Sequence, residues 1–229
     1  MKEIKFTRNS ALVFLYISII LLSSAKLYYS EIKQASSLPV NNRNIVIDPG
    51  HGGYDPGKVA PDGTEEKGIN LNIALKLQGY LEQGGAVVFD TRIDDEVSNN
   101  KKREDLKNRV QIGEDFGDLF ISIHQNSFPK SSVKGAQVFY NKKSEESKRL
   151  AIAIQKRLKE VVDTSNDRVA KAEAAYYILK KINVPAVIVE CGFLSNSVEK
   201  EKLLSQEYQE KIAWAIYMGI LDYYGEAQA

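Results

Sequence analysis

Apolar residues along this chain fall into two kinds of run. Ile45–Asp48, Ala86–Thr91, Leu119–His124, Ala136–Tyr140 and Ala186–Glu190 are short, nearly continuous and rich in β-branched or aromatic residues, the pattern of strands buried on both faces. Between them the apolar positions recur every three or four residues. Ile69, Ile73, Leu77 and Leu81 form one such series, Leu150, Ile154, Leu158 and Val161 a second, and Tyr208, Ile212, Ile216, Ile220 and Tyr223 a third. That spacing lines one face of a helix. Asn196-Ser-Val-Glu199 reads as a capping box opening the last helical region, whereas Ala174–Leu179 fits strand and helix equally well. Buried strands alternating with amphipathic helices predict an α/β fold: a three-layer, mostly parallel twisted sheet with helices on both faces.

The first 25 residues stand apart from this alternation. Lys2, Lys5 and Arg8 precede an apolar run from Ala11 to Leu22, and Ser23-Ser-Ala25 supplies small residues suited to cleavage, so residues 1–25 read as a signal peptide or an N-terminal anchor. Twelve apolar residues fall short of the ~20 that a transmembrane helix needs. Either reading exports the rest of the chain. Polar residues 26–43 then read as a linker, 44–224 as one domain, and 225–229 as a tail, with no internal repeat visible.

Composition narrows the partners. Removing residues 1–25 takes away Lys2, Lys5, Arg8 and Glu3, so the formal charge moves from +1 to −1. A near-neutral domain without a basic stripe argues against nucleic acid, and a membrane enters only through the N-terminal segment. Cys191 is the single cysteine, so no internal disulfide is possible and packing must supply the stability.

The chain holds two histidines, His51 and His124, each just past a strand-like run. In parallel α/β sheets ligands bind outside the carboxyl ends of the strands, so the pair is placed to share a site, and imidazole is a common metal ligand. Two carboxylate positions join them. Glu65 and Glu66 open the first helical series, where a carboxylate could reach back to the same sheet edge or simply favour a helix N-terminus. Glu190 closes the strand Val184–Glu190, in the position of an exposed strand end or of a general base whose pKa is raised by apolar neighbours. Two histidines and one carboxylate with an open fourth position describe a catalytic zinc site, with a further carboxylate to move protons during hydrolysis of an amide or ester.

Four short motifs in order carry a resemblance. Asp48-Pro-Gly-His-Gly-Gly53, Glu66-Lys67 before Ile69-Asn-Leu71, Ser122-Ile-His-Gln-Asn126 and Val189-Glu-Cys-Gly-Phe-Leu-Ser-Asn196 together are similar to the zinc-dependent N-acetylmuramoyl-L-alanine amidases. Asp90-Thr-Arg92, Arg109, Gly135–Tyr140, Arg168 and Pro185-Ala186 agree with them, and the likeness spans about residues 43–224. It implies a phosphorylase/hydrolase-like α/β fold, with Zn2+ held by His51, Glu66 and His124, and Glu190 as the catalytic carboxylate. Asn126 and Arg168 would contact substrate. The bond cut would join the lactyl group of N-acetylmuramic acid to L-alanine, making peptidoglycan glycan strands and stem peptides the partners. Choosing Glu66 over Glu65 rests on the family's Glu-Lys pair. Two positions depart from the common pattern. Cys191 replaces an aliphatic residue, reading as a small buried hydrophobe or a thiolate near the metal, and Gln137 stands where Glu is frequent.

Gly135-Ala-Gln137 and the short catalytic region look most like the sporulation amidases of spore-forming bacteria. That likeness implies work in the cell wall or intermembrane space of the forming spore, where cortex muramic acid becomes muramic-δ-lactam. It also implies a downstream deacetylase and leaves room for an accessory protein that orders the loop Asp55–Glu66. Rival readings remain open: a cell-wall metal deacetylase or peptidase, or a peptidoglycan-binding or regulatory module without strong catalysis. A lipase-type esterase does not, because Gly50-His-Gly-Gly53 is accompanied by no G-x-S-x-G nucleophile elbow.

Overall fold

The computed structural model describes residues 8–35, 38–97 and 101–226, and it separates into two units, Met1–Leu38 and Pro39–Ala229. Among the described residues the first unit holds one helix, α1 (Arg8–Ala35). Its window Leu12–Tyr29 is 18 residues long with mean hydropathy 1.7, enough by length and composition to cross a membrane. The apolar stretch outlasts Leu22 because Leu27, Tyr28 and Tyr29 extend it past Lys26, and the helix runs through Lys26–Ala35, where a linker was expected. That segment has no Gly or Pro to stop it and is made largely of good helix formers. Residues 1–7 and 227–229 lie outside the described residues, as does part of the expected linker; the rest of the expected tail ends the last helix.

In the second unit a six-stranded sheet has the order β2-β1-β3-β6-β4-β5. Its strands are β1 (Asn44–Pro49), β2 (Val87–Asp90), β3 (Leu119–Asn126), β4 (Gln137–Tyr140), β5 (Lys171–Ala172) and β6 (Ala186–Phe193). All neighbouring pairs are parallel except β4 with β6. The mostly parallel sheet expected from the apolar runs is present; the two-residue edge strand β5 was too short to leave a pattern.

Side-chain alternation distributes this sheet between two helical layers. Val46, Phe120, Phe139, Ala186 and Ile188 face one side and are buried with Ile178, Leu179 and Ile182, with Leu106 and Val110 partly buried against them. These come from α3 (Lys102–Phe116), α5 (Tyr177–Lys181) and the residues after it. The other side is covered by α2 (Glu66–Gln83), α4 (Glu145–Arg157) and α7 (Gln206–Glu226). The three periodic series lie here: Ile69, Ile73, Leu77 and Leu81, then Leu150, Ile154 and Leu158, then Ile212, Ile216 and Ile220 are all buried. The second series ends in a π-helical turn, Leu158–Val162.

Two local readings are settled by the structure. Ala174–Leu179 contributes to the short helix α5. Asn196 caps α6 (Ser197–Leu204) by accepting from the Glu199 backbone N–H at 3.0 Å, but Glu199 does not complete the reciprocal box. Its buried carboxylate accepts instead from Gly135 N–H and Phe193 N–H, both at 2.9 Å, which ties α6 to β6.

Candidate metal centre

Continuing the alternation past the apolar cluster gives the site. On the face carrying Val46, Phe120, Ala186 and Phe139, the next same-side residues toward the active edge are Asp48, Ser122 and His124, Glu190, and Gln137. His124 and Glu190 are register partners across β3 and β6, and Gln137 opposes Glu190 across β4 and β6. One polar row thus crosses three strands where the hydrophobic layer ends.

His51 and Glu66 reach this row from outside the sheet. His51 follows β1 with φ of 64°, a left-handed conformation that costs a non-glycine residue energy. Two buried arginines hold the surrounding backbone. Arg109 donates to His51 O at 2.7 Å and to Pro49 O at 3.0 Å, and its guanidinium pairs with buried Asp48 at 2.6 Å and Asp105 at 2.7 Å. Arg92 donates to the Pro49, Gly50 and Lys67 carbonyls. Asp48 also accepts from Thr91 and Ser122 hydroxyls. Burial pushes the Asp48 carboxyl upward, but Arg109 and these hydroxyls outweigh it and hold it below the usual carboxylate range.

Glu66 is the first residue of α2 and is 3% exposed. Its Oε1 lies 3.0 Å from His124 Nδ1 and its Oε2 3.3 Å from His51 Nε2, with the two imidazole rings 4.9 Å apart. His51, Glu66 and His124 offer ligand atoms within 4.8 Å of one another. Burial raises the Glu66 carboxyl, yet its bonds to both imidazoles dominate and keep it ionised far below its ordinary value. Backbone N–H groups of Gln125 and Lys58 donate to it at 2.9 and 2.8 Å, and Asn70 Nδ2 at 3.3 Å. Behind His51, the other ring nitrogen meets Asp55 Oδ2 at 3.0 Å, and Asp55 is itself held by Lys102 and Gly57 N–H. Such outer partners orient a ligating histidine. Glu65, the neighbouring candidate, is exposed and pairs with Lys67, so the geometry brings Glu66 to the histidines.

Glu190 sits 6% exposed in the same cleft of about 370 Å³. Burial raises its pKa, nearby His124 opposes this and Glu66 adds to it, and the net shift is upward. Its Oε1 accepts from the Tyr176 hydroxyl at 3.0 Å; its Oε2 has no hydrogen-bond partner among the described residues.

Other expected residues separate. Asn126 lines the cleft. Arg168 is absent from the cleft lining and donates to Lys134 O and to Gln137 Oε1, with its guanidinium 4.8 Å from the Phe193 ring centre. Gln137 is occupied by Arg168 and by Val169 O. Cys191 is fully buried and points to the opposite face from Glu190; burial pushes its thiol up, so it behaves as packing. Asp55 and Tyr176 were not singled out from the sequence. Asp55 carries a findable signal, since it stands four residues past His51 in a Gly- and Pro-rich loop, but Tyr176 does not.

A model of the N-acetylmuramoyl-L-alanine amidase family matches residues 45–222. This chain belongs to that family. The amidase is 37% identical over 199 residues to the germination-specific N-acetylmuramoyl-L-alanine amidase of Bacillus subtilis (strain 168), covering 83% of each chain. It is 36% identical over 188 residues to the amidase LytC of the same organism, which covers 81% of this chain but 36% of that longer relative. The solved CwlD amidase from Clostridioides difficile, in complex with the GerS lipoprotein, superposes with a TM-score of 0.79 at 45% identity. That match covers 81% of this chain and 100% of CwlD. The protein is thus an enzyme of peptidoglycan, an amide hydrolase of the family's α/β fold.

Proposed function

We propose that this amidase is zinc-dependent, that His51, Glu66 and His124 hold the metal, and that Glu190 is its catalytic carboxylate. The observation that carries this is the convergence of two imidazole nitrogens and a buried carboxylate within 4.8 Å, beside a second carboxylate that is not part of the cluster. The donor set fits zinc, because two histidines and one carboxylate are a catalytic zinc ligand set with room for a further ligand. When bound, zinc supplies Lewis acidity toward a substrate carbonyl and lowers the pKa of water toward neutrality.

The chain's own groups divide the remaining work. Asp55 fixes the His51 ring, while the Gln125 and Lys58 N–H groups fix Glu66. Glu190, kept above the ordinary glutamate range, is suited to take a proton from the attacking water and return it to the alanine nitrogen as the lactyl–alanine bond breaks. Asn126 lines the path of the substrate. Arg168 instead holds the Lys134 carbonyl and the Gln137 amide outside the cleft lining.

The germination-specific relative supports a role in spore cortex maturation, preceding a deacetylase on the way to muramic-δ-lactam. CwlD in complex with a lipoprotein supports an accessory partner here. Helix α1 supports export, with residues 1–25 as signal peptide or anchor. Mass spectrometry of peptidoglycan treated with residues 39–229, with and without zinc, tests the core reading. Released stem peptide over intact glycan, dependent on zinc, is expected; loss of acetyl groups without peptide release would establish the deacetylase instead.

A further inference from the structure

Glu190 lacks an obvious means of staying oriented. Its register neighbour on β4, Gln137, would be the natural donor, but Gln137 Nε2 donates to Val169 O and its Oε1 accepts from Arg168. The other neighbour, His124, turns its Nδ1 to Glu66. The donor that reaches Glu190 comes from elsewhere in the chain: Tyr176, at 3.0 Å from Oε1.

The fold builds that approach deliberately. After β5, Glu173 N–H donates to Tyr140 O at 2.9 Å, and the Glu173 carboxylate accepts from the next two N–H groups, Ala174 and Ala175. This turns the chain back across the cleft. Asn141 Nδ2 then donates to Leu179 O at 2.8 Å, and Ile178 and Leu179 are buried in the sheet's apolar layer. Tyr176 lies between these anchors with its ring edge-on to Phe139, centres 5.7 Å apart. A residue needed only as an apolar wall would not place a hydroxyl on a buried carboxylate.

We infer that Tyr176 is a positioning residue for the hydrolysis, fixing one oxygen of Glu190 so that Oε2 alone remains to accept the proton. The inference rests on the assignment of Glu190 as the catalytic carboxylate. A hydrogen bond to an ionised carboxylate is among the stronger ones a protein makes. Losing it leaves the carboxylate free to rotate during turnover while the substrate contacts stay intact.

The test uses Tyr176→Phe, which keeps the ring against Phe139, alongside Glu190→Ala, on soluble muramoyl-peptide fragments. In Tyr176→Phe, kcat is expected to fall about tenfold or more with KM within about twofold of the parent. Zinc content and melting midpoint are expected to stay at parent values, excluding a folding or metal effect. A kcat within twofold of the parent overturns the inference; so does a raised KM with unchanged kcat, which would make Tyr176 a substrate contact, or loss of zinc. Full turnover by Glu190→Ala would instead defeat the assignment beneath it, and the two failures are read from separate variants.

Discussion

The chemistry concentrates in a few side chains whose properties follow from burial. As the proposed base, Glu190 would act only when ionised, so kcat should rise with pH through its pKa, which burial holds above the ordinary glutamate value of about 4.3. The same shift has a cost. A carboxyl whose folded pKa is raised contributes stability below its unfolded value and loses it as pH rises through the folded value. In the metal-free protein the ionised Glu190 therefore weakens the fold at neutral pH, and metal-free Glu190→Gln should melt higher by a few degrees, while the zinc-loaded variant should retain its metal and lose turnover. A lower melting point in calorimetry would contradict this account. Glu66→Ala should lose zinc while Glu65→Ala keeps it, since Glu66 alone of the pair touches both imidazoles; metal analysis of the purified variants decides, and the reverse result would move the ligand to Glu65.

Between elements, two ties hold the site in place. Arg109 on α3 and Asp48 on β1 form a buried pair that also secures the His51 carbonyl. Removing one partner leaves the other charge uncompensated, so Asp48→Ala should cost about 3–5 kcal/mol in denaturant melts. Because Asp48 is held below its ordinary value, its contribution is present above about pH 3.9 and fades as pH drops further; acid unfolding of Asp48→Ala should lose that dependence. The second tie is the loop leading into α2. Gly57 has φ of 69°, and a Cβ there would lie 2.6 Å from Glu66 Oε2 and 2.7 Å from His51. Gly57→Ala should weaken zinc affinity without much loss of global stability, measured by competition with a chelator; unchanged affinity would show that the loop adjusts freely. Helix α3, which supplies Arg109, left little trace in the sequence, because its buried positions include Asp105, Arg109 and Gly113 rather than a full apolar stripe.

As a molecule, the unit beginning at Pro39 contains the sheet, both helical layers and every site residue. Residues 39–229 should accordingly fold cooperatively and melt in one transition; separate transitions in calorimetry would contradict this. What could be read directly from the chain was the layer plan, since buried strands and amphipathic helices impose periods of 2 and 3.6 on where apolar residues stand. His51, His124 and Glu190 were legible as well, because each is a polar residue at the point where an apolar strand run stops. That the histidines share one sheet edge was expected too; the geometry by which they meet Glu190 was not. It depends on strand order, which placed β3 between β1 and β6, and on register, which set His124 against Glu190. The family's Glu-Lys pair pointed to Glu66, but its reach to both imidazoles, the support of His51 by Asp55 and the reach of Tyr176 to Glu190 depend on loop paths closed by hydrogen bonds. Periodicity encodes which face a residue takes, a local property of backbone geometry; it carries no information about which distant segment will meet that face, and the tertiary packing decides that.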